Sequence, residues 1–259
     1  MENNDREAAI VAIRRAIDKG ITHIDTAEIY GRGVVEQIVG EAIAGYRGDV
    51  FLASKIHPDH ATYAGTLLTC EKSLRRLRTD RLDLLMLHWR GTQPLEETLR
   101  AFEELEKEGK ILSWGLSNFD VADIERAIEI VGEGRIACNQ VLYNLAERDA
   151  EHVIQPVCER HRIAFVGYSP LGSGQFPSRG SWRGDVLAGI ASAHGVTAHA
   201  VALAFLTRRP SAFVIPKAAR ADHVDQLAPA GDLVLTPAEI ETISSAFPLG
   251  PPKSNMPYV

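Results

Sequence analysis

Apolar positions along the chain alternate between a helical period and short strand-like runs from one end to the other. In the first segment, Ile10, Ile13 and Ile17 share one helical face, and Gly20 provides a C-terminal stop. Strand-like runs lie near 21–25, 50–55, 82–88, 111–117, 136–141, 163–168 and 213–217. Helix-period segments lie near 6–19, 35–44, 64–77, 92–109, 120–131, 149–160, 185–194, 197–208 and 236–246. Such repeated βα units predict a parallel sheet with helices packed outside it.

The chain has 259 residues, a length that suits one large α/β domain spanning residues 1–259. A closed (β/α)8 barrel of the TIM type is favoured over an open doubly wound sheet, because no GxGxxG motif follows an early strand. The pattern yields seven strands where a complete barrel has eight, and the first element is a helix. We therefore expect an incomplete barrel that lacks its first strand.

Charge and cysteine content narrow the class of protein. The formal net charge of −6 provides no basic field, which argues against nucleic acid or an acidic membrane surface as a partner. The three cysteines, Cys70, Cys138 and Cys158, form no CxxC pair, so reduced thiols are expected. The chain shows no signal-peptide pattern, and no apolar run reaches about 18 residues. We expect a cytoplasmic protein without a membrane span.

Four polar side chains lie where the first strand-like runs give way to loops. Asp25, Lys55 and His88 each close such a run. Tyr30 follows five residues after Asp25. In a β/α barrel the functional face is the C-terminal rim of the strands, so the fold alone would bring these groups together. Alternation along the strands is consistent with Asp25, Lys55 and His88 ending inward-facing rows.

Together these four groups can donate a proton to a carbonyl oxygen. A free phenol has a pKa of about 10, and a nearby ammonium stabilises the phenolate, which suits Lys55 beside Tyr30. Asp25 can pair with Lys55 and offset the burial of its charge. His88 can hydrogen-bond the carbonyl oxygen and orient it. The group that needs this acid is an alkoxide formed as hydride arrives from a nicotinamide.

Each residue type also has a simpler explanation. An Asp at a strand end commonly caps a helix or forms a turn, and a Tyr before Gly commonly lies in a turn. A Lys at a strand end is usually solvated, and a His at a barrel rim usually has its hydrogen bonds satisfied within the protein. The joint occurrence of all four at strand ends favours the catalytic interpretation. His57 and His60 are metal-ligand types, but no third ligand has suitable spacing. We predict no metal site and expect both histidines to line a pocket or an exposed loop.

Six ordered motifs, running from about residue 8 to the C-terminus, resemble those of the aldo-keto reductase family. They are GITHIDTAEIYG (20–31), LDLLMLHW (82–89), WGLSNF (114–119), NQVLY (139–143), GYSPLG (167–172) and IPKA (215–218). The resemblance implies NADPH-dependent reduction of an aldehyde or ketone of a small molecule to an alcohol. It also implies a proton donor, Tyr30, within a catalytic tetrad of Asp25, Tyr30, Lys55 and His88.

The resemblance also implies where NADPH binds. Ser117, Asn118 and Gln140 would bind the carboxamide, because these side chains supply the donors and acceptors that an amide needs. Tyr168 would stack on the nicotinamide ring. The other implied cofactor contacts are Ser169, Leu171, Gly172, Lys217, Arg220 and Gln226.

Parts of this assignment have structural alternatives. Without the family, Ser117 and Asn118 would form a capping turn before the next helix. The Gly- and Ser-rich stretch 172–184 resembles a cofactor-covering loop, and would otherwise be a surface loop. If Lys217 and Arg220 lie beside the 2′-phosphate, their charges would favour NADPH over NADH. The alternative is that both are solvated residues of a surface loop.

The chain departs from the family in two places. Where the family has Arg and then Glu-Asn near the adenosine phosphate, this chain has His223, Gln226 and Leu227. The family's N-terminal hairpin and first barrel strand have no counterpart in the pattern. A truncated product, a barrel that tolerates a gap, and a chain completed by another subunit are all compatible with this.

The alternative to a reductase is a non-catalytic NADP(H)-binding regulatory subunit or an inactive truncated barrel. The intact tetrad argues against the regulatory subunit, and the opened barrel argues for it. Neither the identity of the carbonyl substrate nor the oligomeric state follows from the sequence.

Overall fold

The computed structural model describes residues 3–253, with side chains from residue 6 onward. Over this range seven parallel strands alternate with helices. The strands are β1 (His23–Asp25), β2 (Phe51–Ile56), β3 (Leu84–Leu87), β4 (Trp114–Ser117), β5 (Cys138–Leu142), β6 (Ala164–Tyr168) and β7 (Ala212–Ile215). The α-helices are α1 (Asn3–Asp18), α2 (Val34–Ala42), α3 (Tyr63–Leu77), α4 (Leu95–Lys107), α5 (Val121–Val131), α6 (Ile154–Arg160), α7 (Trp182–His194), α8 (Ala198–Leu206), α9 (Ala221–Leu227) and α10 (Pro237–Ala246).

Each strand pairs in parallel with the next one along the chain, so the sheet follows the order β1 to β7. With the helices outside, this is a nearly closed α/β barrel of the TIM type, as predicted. The two ends of the sheet are β1 and β7. Outside them α1 packs against α9, and Arg15 pairs with Asp225 at 2.8 Å, so the helical layer continues across the seam.

Side-chain alternation divides the barrel into an inner and an outer layer. Leu52 and Leu85 belong to the large core between the sheet and the helices. A separate buried cluster fills the interior and consists of Ala53, Leu84, Met86, Cys138 and Val166. Because alternate residues share a face, Lys55 continues the row of Ala53, and His88 continues that of Met86. The expected inward rows are therefore present beneath both residues.

The helices differ from the predicted pattern in two places. The segment predicted as one helix at 149–160 is divided into a 3-10 turn, Asp149–Glu151, and α6. The break lies at Val153, whose φ of −135° is outside the helical range. The helix α9 is absent from the prediction, because its 7 residues are too few to show an apolar period.

All three cysteines are buried and free, in agreement with the expected reduced thiols. Burial raises the pKa of Cys70, Cys138 and Cys158 to about 12. The thiols are therefore protonated at neutral pH and act as small apolar side chains.

Within residues 3–253, no single helix is both long and apolar enough to cross a membrane. The consecutive helices α7 and α8 meet the length and composition test only when taken together, and they bend by 96° at the break between them. Most of α8 is buried against the barrel, from Ala200 to Leu206.

Candidate active site

The C-terminal ends of β1, β2 and β3 place three polar side chains on one rim of the barrel. The strand register aligns Asp25 with Ala53 of β2, and Lys55 with Met86 of β3. His88 directly follows β3. The parallel register thus brings residues far apart in sequence to one level of the barrel, as the sequence predicts.

Lys55 lies inside the barrel with only 1% of its surface exposed. Its ammonium forms an ion pair with the Asp25 carboxylate and donates to the carbonyl oxygen of Thr26 at 3.0 Å. Because an unpaired buried charge is strongly destabilising, this pairing allows the ammonium to lie in the interior. The second oxygen of Asp25 accepts a hydrogen bond of 2.9 Å from Gln140 Nε2, which reaches it from β5.

Tyr30 begins the 3-10 turn Tyr30–Gly33 that follows β1. Lys55 Nζ lies 5.3 Å from the centre of the Tyr30 ring, and the centre of the His88 ring lies 5.7 Å away in an edge-on arrangement. Tyr30 is 38% exposed, so the phenol opens onto the rim while its charged neighbour Lys55 is buried. The structure therefore brings together all four residues of the predicted tetrad.

His88 is neutral at this site. Burial, assisted by the charge of Lys55, lowers the pKa of His88 to about 4. One ring nitrogen of a neutral imidazole donates and the other accepts. Among the described residues, His88 Nδ1 has no hydrogen-bond partner and is buried, which leaves Nε2 as the nitrogen available to a ligand. With its proton on Nε2, the ring can donate to a carbonyl oxygen.

Ser117, Asn118 and Tyr168 lie beside His88 at the ends of β4 and β6. Asn118 has a left-handed backbone, with φ of 56°, which Asn tolerates better than most residues. Its Nδ2 donates to the carbonyl oxygen of His88 at 3.1 Å and to Ser117 Oγ at 3.2 Å. Its Oδ1 accepts from the Tyr168 hydroxyl at 3.0 Å. These contacts join three strand ends into one polar surface.

The capping role considered for Ser117 and Asn118 belongs to another residue. Asp120 is the N-cap of α5, and its side chain accepts from the N–H of Asp123 at 2.9 Å. The side chains of Ser117 and Asn118 therefore remain part of the rim instead of the helix terminus.

The segment after β6 carries Ser169, Leu171 and Gly172. Ser169 and Gly172 have φ of 51° and 75°, so the backbone turns sharply here. Farther along, the Phe176 ring packs on the ring of His199 in α8, with centres 4.1 Å apart. This aromatic contact anchors the Gly- and Ser-rich loop to the barrel.

The residues assigned to the adenosine phosphate lie after β7. Lys217 is exposed, and Arg220 donates twice to Asp222, at 2.9 and 2.8 Å. Gln226 lies on α9, where its backbone carbonyl oxygen accepts from Thr197 Oγ1 at 2.8 Å. Within residues 3–253, no hydrogen bond joins Lys217, Arg220 or Gln226 to the tetrad. Their contacts with a cofactor stay predictions.

Two residues in the loop before Tyr30 contribute to the site although the sequence analysis gives them no role. The carbonyl of Thr26 accepts from the Lys55 ammonium, and Glu28 Oε1 accepts from the backbone N–H of His57 at 2.7 Å. Their position in this loop is the one signal that the sequence offers.

The two histidines considered as metal ligands, His57 and His60, lie in the segment that follows β2. The His57 ring lies edge-on to Trp89, with centres 4.8 Å apart, and His60 Nδ1 lies 3.0 Å from Glu28 Oε1. Across the described part of the chain, no group of three or more His, Cys, Asp or Glu could hold a metal ion. Both rings have contacts that place them in the loop structure.

Comparison with known proteins gives consistent matches. The model of the Aldo/keto reductase family matches residues 1–247. Methylglyoxal reductase YeaE of Escherichia coli K12 is 40% identical over 245 residues, which cover 95% of this chain and 86% of that protein. Glyoxal reductase of Bacillus subtilis 168 is 31% identical over 239 residues, which cover 92% of this chain and 83% of that protein.

Solved structures share the fold. A crystal structure of an aldo-keto reductase from Klebsiella pneumoniae in complex with NADPH has a TM-score of 0.93 at 41% identity, covering 100% of this chain and 91% of that chain. A Klebsiella pneumoniae structure in complex with NADP and acetate has a TM-score of 0.94 at 41% identity, with the same coverage.

These matches bear on the expected absence of an N-terminal hairpin and first strand. That expectation is not supported, because the family match begins at residue 1 and includes α1. The seven parallel strands that the sequence predicts are the strands of the described barrel.

Proposed function

This chain belongs to the aldo/keto reductase family, and we propose that it reduces small 2-oxoaldehydes such as methylglyoxal with Tyr30 as the proton donor. As a member of the family it is an NADPH-dependent oxidoreductase that converts the carbonyl group of a small molecule to an alcohol. Two similar proteins are named for the reduction of methylglyoxal and of glyoxal, which supports this substrate class.

The observation that carries the proposal is the placement of Tyr30, Lys55 and Asp25 on one open rim. NADPH supplies the hydride that reduces the carbonyl carbon. Tyr30, exposed at the rim, donates its hydroxyl proton to the carbonyl oxygen. The ammonium of Lys55 favours the resulting phenolate, and the ion pair with Asp25 holds that ammonium in place.

His88 orients the substrate for this proton transfer. Its ring is neutral, and its Nε2 is the nitrogen left for a ligand. A hydrogen bond from Nε2 to the carbonyl oxygen would direct that oxygen towards Tyr30, whose ring is next to the imidazole. Such orientation lowers the activation barrier for proton transfer, because the reacting groups are already held in the required geometry.

The donor and acceptor groups beside the tetrad fit the carboxamide of NADPH. Gln140 presents its Nε2 to Asp25, so its carbonyl Oε1 is the atom left to accept from a carboxamide NH₂. Ser117 and Asn118 supply a hydroxyl and a second amide, and Tyr168 supplies an aromatic face at the end of β6. The remaining proposed contacts are Ser169, Leu171, Gly172, Lys217, Arg220 and Gln226.

The non-catalytic alternatives are not favoured. The similar proteins are reductases, and all four tetrad residues meet at the rim of this barrel. An inactive barrel is also not favoured, because a continuous core packs the strands against their helices.

The test is NADPH oxidation by the purified chain with methylglyoxal, run beside Tyr30→Phe. We expect turnover by the wild type, loss of turnover in Tyr30→Phe, and unchanged NADPH affinity in the variant. Turnover that persists in Tyr30→Phe would show that another group donates the proton. A wild type that binds NADPH without reducing methylglyoxal or an aromatic aldehyde would contradict the proposed activity.

A further inference from the structure

The loop between β1 and Tyr30 continues the hydrogen-bond ladder with β2 past the end of the strand. Thr26 N donates to the carbonyl oxygen of Ala53 at 3.0 Å, and Glu28 N donates to that of Lys55 at 3.4 Å. If the parallel ladder continued, the next N–H after β2, that of His57, would donate to a backbone carbonyl of the neighbouring strand. Here it donates instead to the side chain of Glu28, at 2.7 Å.

The side chain of Glu28 thus replaces a backbone acceptor for His57 N–H, and it does so where the chain turns to carry Tyr30. Tyr30 N donates to Ala27 O, and Arg32 N donates to Ile29 O, both at 3.1 Å, as the chain enters the 3-10 turn. A backbone that leaves the sheet leaves the neighbouring N–H without its partner, and a buried orphan N–H is unfavourable. The Glu28 carboxylate supplies the missing acceptor.

The same carboxylate also joins the loop to a second residue after β2. His60 Nδ1 lies 3.0 and 3.1 Å from the two oxygens of Glu28. Because a carboxylate only accepts, Nδ1 must carry a proton. The Glu28 side chain is 10% exposed, against 52% for His60, so the contact joins a largely buried carboxylate to an exposed ring. His57 Nδ1 is turned to Asp59, whose N–H it accepts at 3.2 Å.

We propose that Glu28 is a positioning residue, which fixes the turn carrying Tyr30 against the strand that carries Lys55. The inference rests on the proposed role of Tyr30 as proton donor. The contacts of the Glu28 carboxylate are with His57 and His60, so Glu28 acts through the loop geometry. Misplacement of a reacting group by about 1 Å reduces turnover by about a hundredfold. Loss of the Glu28 hydrogen bond to His57 N–H therefore lowers kcat and leaves NADPH affinity nearly unchanged, because the proposed cofactor contacts lie at the ends of β4 to β6 and after β7.

The chain offers a matched control for this contact. Glu239 on α10 accepts the backbone N–H of Thr236 at 2.7 Å and also contacts His194 Nε2 at 2.7 Å. Glu239 thus holds one backbone N–H and one imidazole, as Glu28 does, on a helix that packs on α7 outside the barrel. Glu239→Ala removes the same kinds of hydrogen bond far from the rim.

The experiment compares Glu28→Ala, Glu28→Gln and Glu239→Ala by kcat, NADPH affinity, melting temperature and hydrogen exchange of a peptide covering 26–33. Glu28→Ala should lose at least about tenfold in kcat, with NADPH affinity within about twofold and faster exchange at 26–33. Glu28→Gln should recover most of the activity, because its amide oxygen still accepts from the His57 N–H. Its NH₂ can donate to His60 Nδ1 once the His60 proton lies on Nε2. Glu239→Ala should lower the melting temperature without changing kcat or this exchange.

Two results would overturn the inference. One is wild-type kcat in Glu28→Ala. The other is exchange at 26–33 that is no faster in Glu28→Ala than in Glu239→Ala. If the wild type itself shows no turnover, the proposed function fails, and hydrogen exchange alone then decides whether Glu28 holds the loop.

Discussion

The side-chain amide of Gln140, on β5, donates a hydrogen bond of 2.9 Å to the carboxylate of Asp25, on β1. The bond crosses the barrel interior and ends on the oxygen of Asp25 that Lys55 does not use. Gln140, which is proposed to bind the cofactor carboxamide, thus contacts the Asp25–Lys55 pair that is proposed to support Tyr30 as the proton donor. Under the proposed function, NADPH binding at Gln140 is linked to the Asp25–Lys55 ion pair through this amide.

The first prediction concerns Gln140→Leu, which leaves one oxygen of Asp25 without its donor. A hydrogen bond to a charged group contributes about 1.5–3 kcal/mol, which corresponds to roughly tenfold or more in a rate or equilibrium constant. We expect both a lower kcat and weaker NADPH binding, each by about tenfold. Steady-state kinetics and a fluorescence titration with NADPH measure the two effects separately.

The control for this substitution is Gln155→Leu. Among the described residues, neither amide atom of Gln155 has a hydrogen-bond partner, and both atoms are buried on α6. Replacing an unpaired polar group by an apolar one is neutral or stabilising. Unchanged kinetics and equal or higher stability are expected for Gln155→Leu. Unchanged kinetics in Gln140→Leu as well would remove Gln140 from the site.

The second prediction concerns the pH dependence of stability. In the folded protein the pKa of His88 is about 4, below its ordinary value of 6.5, because the ring is buried near Lys55. Between these pH values the unfolded chain binds a proton that folded His88 does not, so the free energy of unfolding falls as pH falls. His88→Gln should flatten this decline between pH 6.5 and pH 4. Urea unfolding of both proteins across this range measures the slopes, and parallel slopes would refute the prediction.

The positions of Asp25, Lys55 and His88 could be predicted because only strand ends and alternation are needed to place them. Parallel strands present their C-terminal ends on one rim, and a side-chain period of two fixes which residues face inward. An error of a few residues in a helix boundary does not change either argument. The grouping of these three residues on one rim could therefore be predicted from the sequence.

The contacts of Glu28, Gln140 and Arg220 could not be predicted in the same way. Each depends on where a long, flexible side chain ends once loops or distant strands have been placed. The Glu28 side chain reaches the backbone N–H of His57 after β2, and the Gln140 side chain crosses the barrel to Asp25. The Arg220 side chain pairs with Asp222 in the first turn of α9. Periodicity carries no information on any of these distances.

The third prediction concerns a buried polar network outside the rim. Although burial opposes it, hydrogen bonds from Arg148 and Tyr143 and the charge of Arg208 lower the pKa of Glu151 to about 2. Glu151→Gln would leave the buried guanidinium of Arg148 and the partly buried one of Arg208 without a compensating charge, and we expect a loss of about 3–5 kcal/mol in the free energy of unfolding. Urea denaturation at pH 7 measures this loss.

The pH dependence gives this network a second test. The ionised Glu151 contributes fully above its ordinary pKa of 4.5, and the contribution is lost as pH falls towards 2. The stability difference between wild type and Glu151→Gln should therefore shrink over that range. Glu125, in an exposed pair with Arg160, is the control, and Glu125→Gln should change stability by less than about 1 kcal/mol. Equal losses for both variants would contradict the buried network as the cause.

The fourth prediction concerns cofactor preference. Arg220 donates two hydrogen bonds to Asp222, which partly neutralises the charge proposed to bind the 2′-phosphate of NADPH. Asp222→Ala frees the guanidinium, and Arg220→Ala removes it. Because an exposed ion pair is weak, we expect changes of only about fivefold in NADPH affinity, tighter in the first variant and weaker in the second.

NADH distinguishes a contact with the 2′-phosphate from a general effect of charge, because it lacks that group. Titrations with both cofactors should show that neither Asp222→Ala nor Arg220→Ala changes NADH affinity. Asp80→Ala, which breaks the exposed contact of Asp80 with Arg81, is the control for net charge and should leave both affinities unchanged. If Asp222→Ala increases the affinity for NADH as much as that for NADPH, the effect is one of net charge, and Arg220 does not bind the 2′-phosphate.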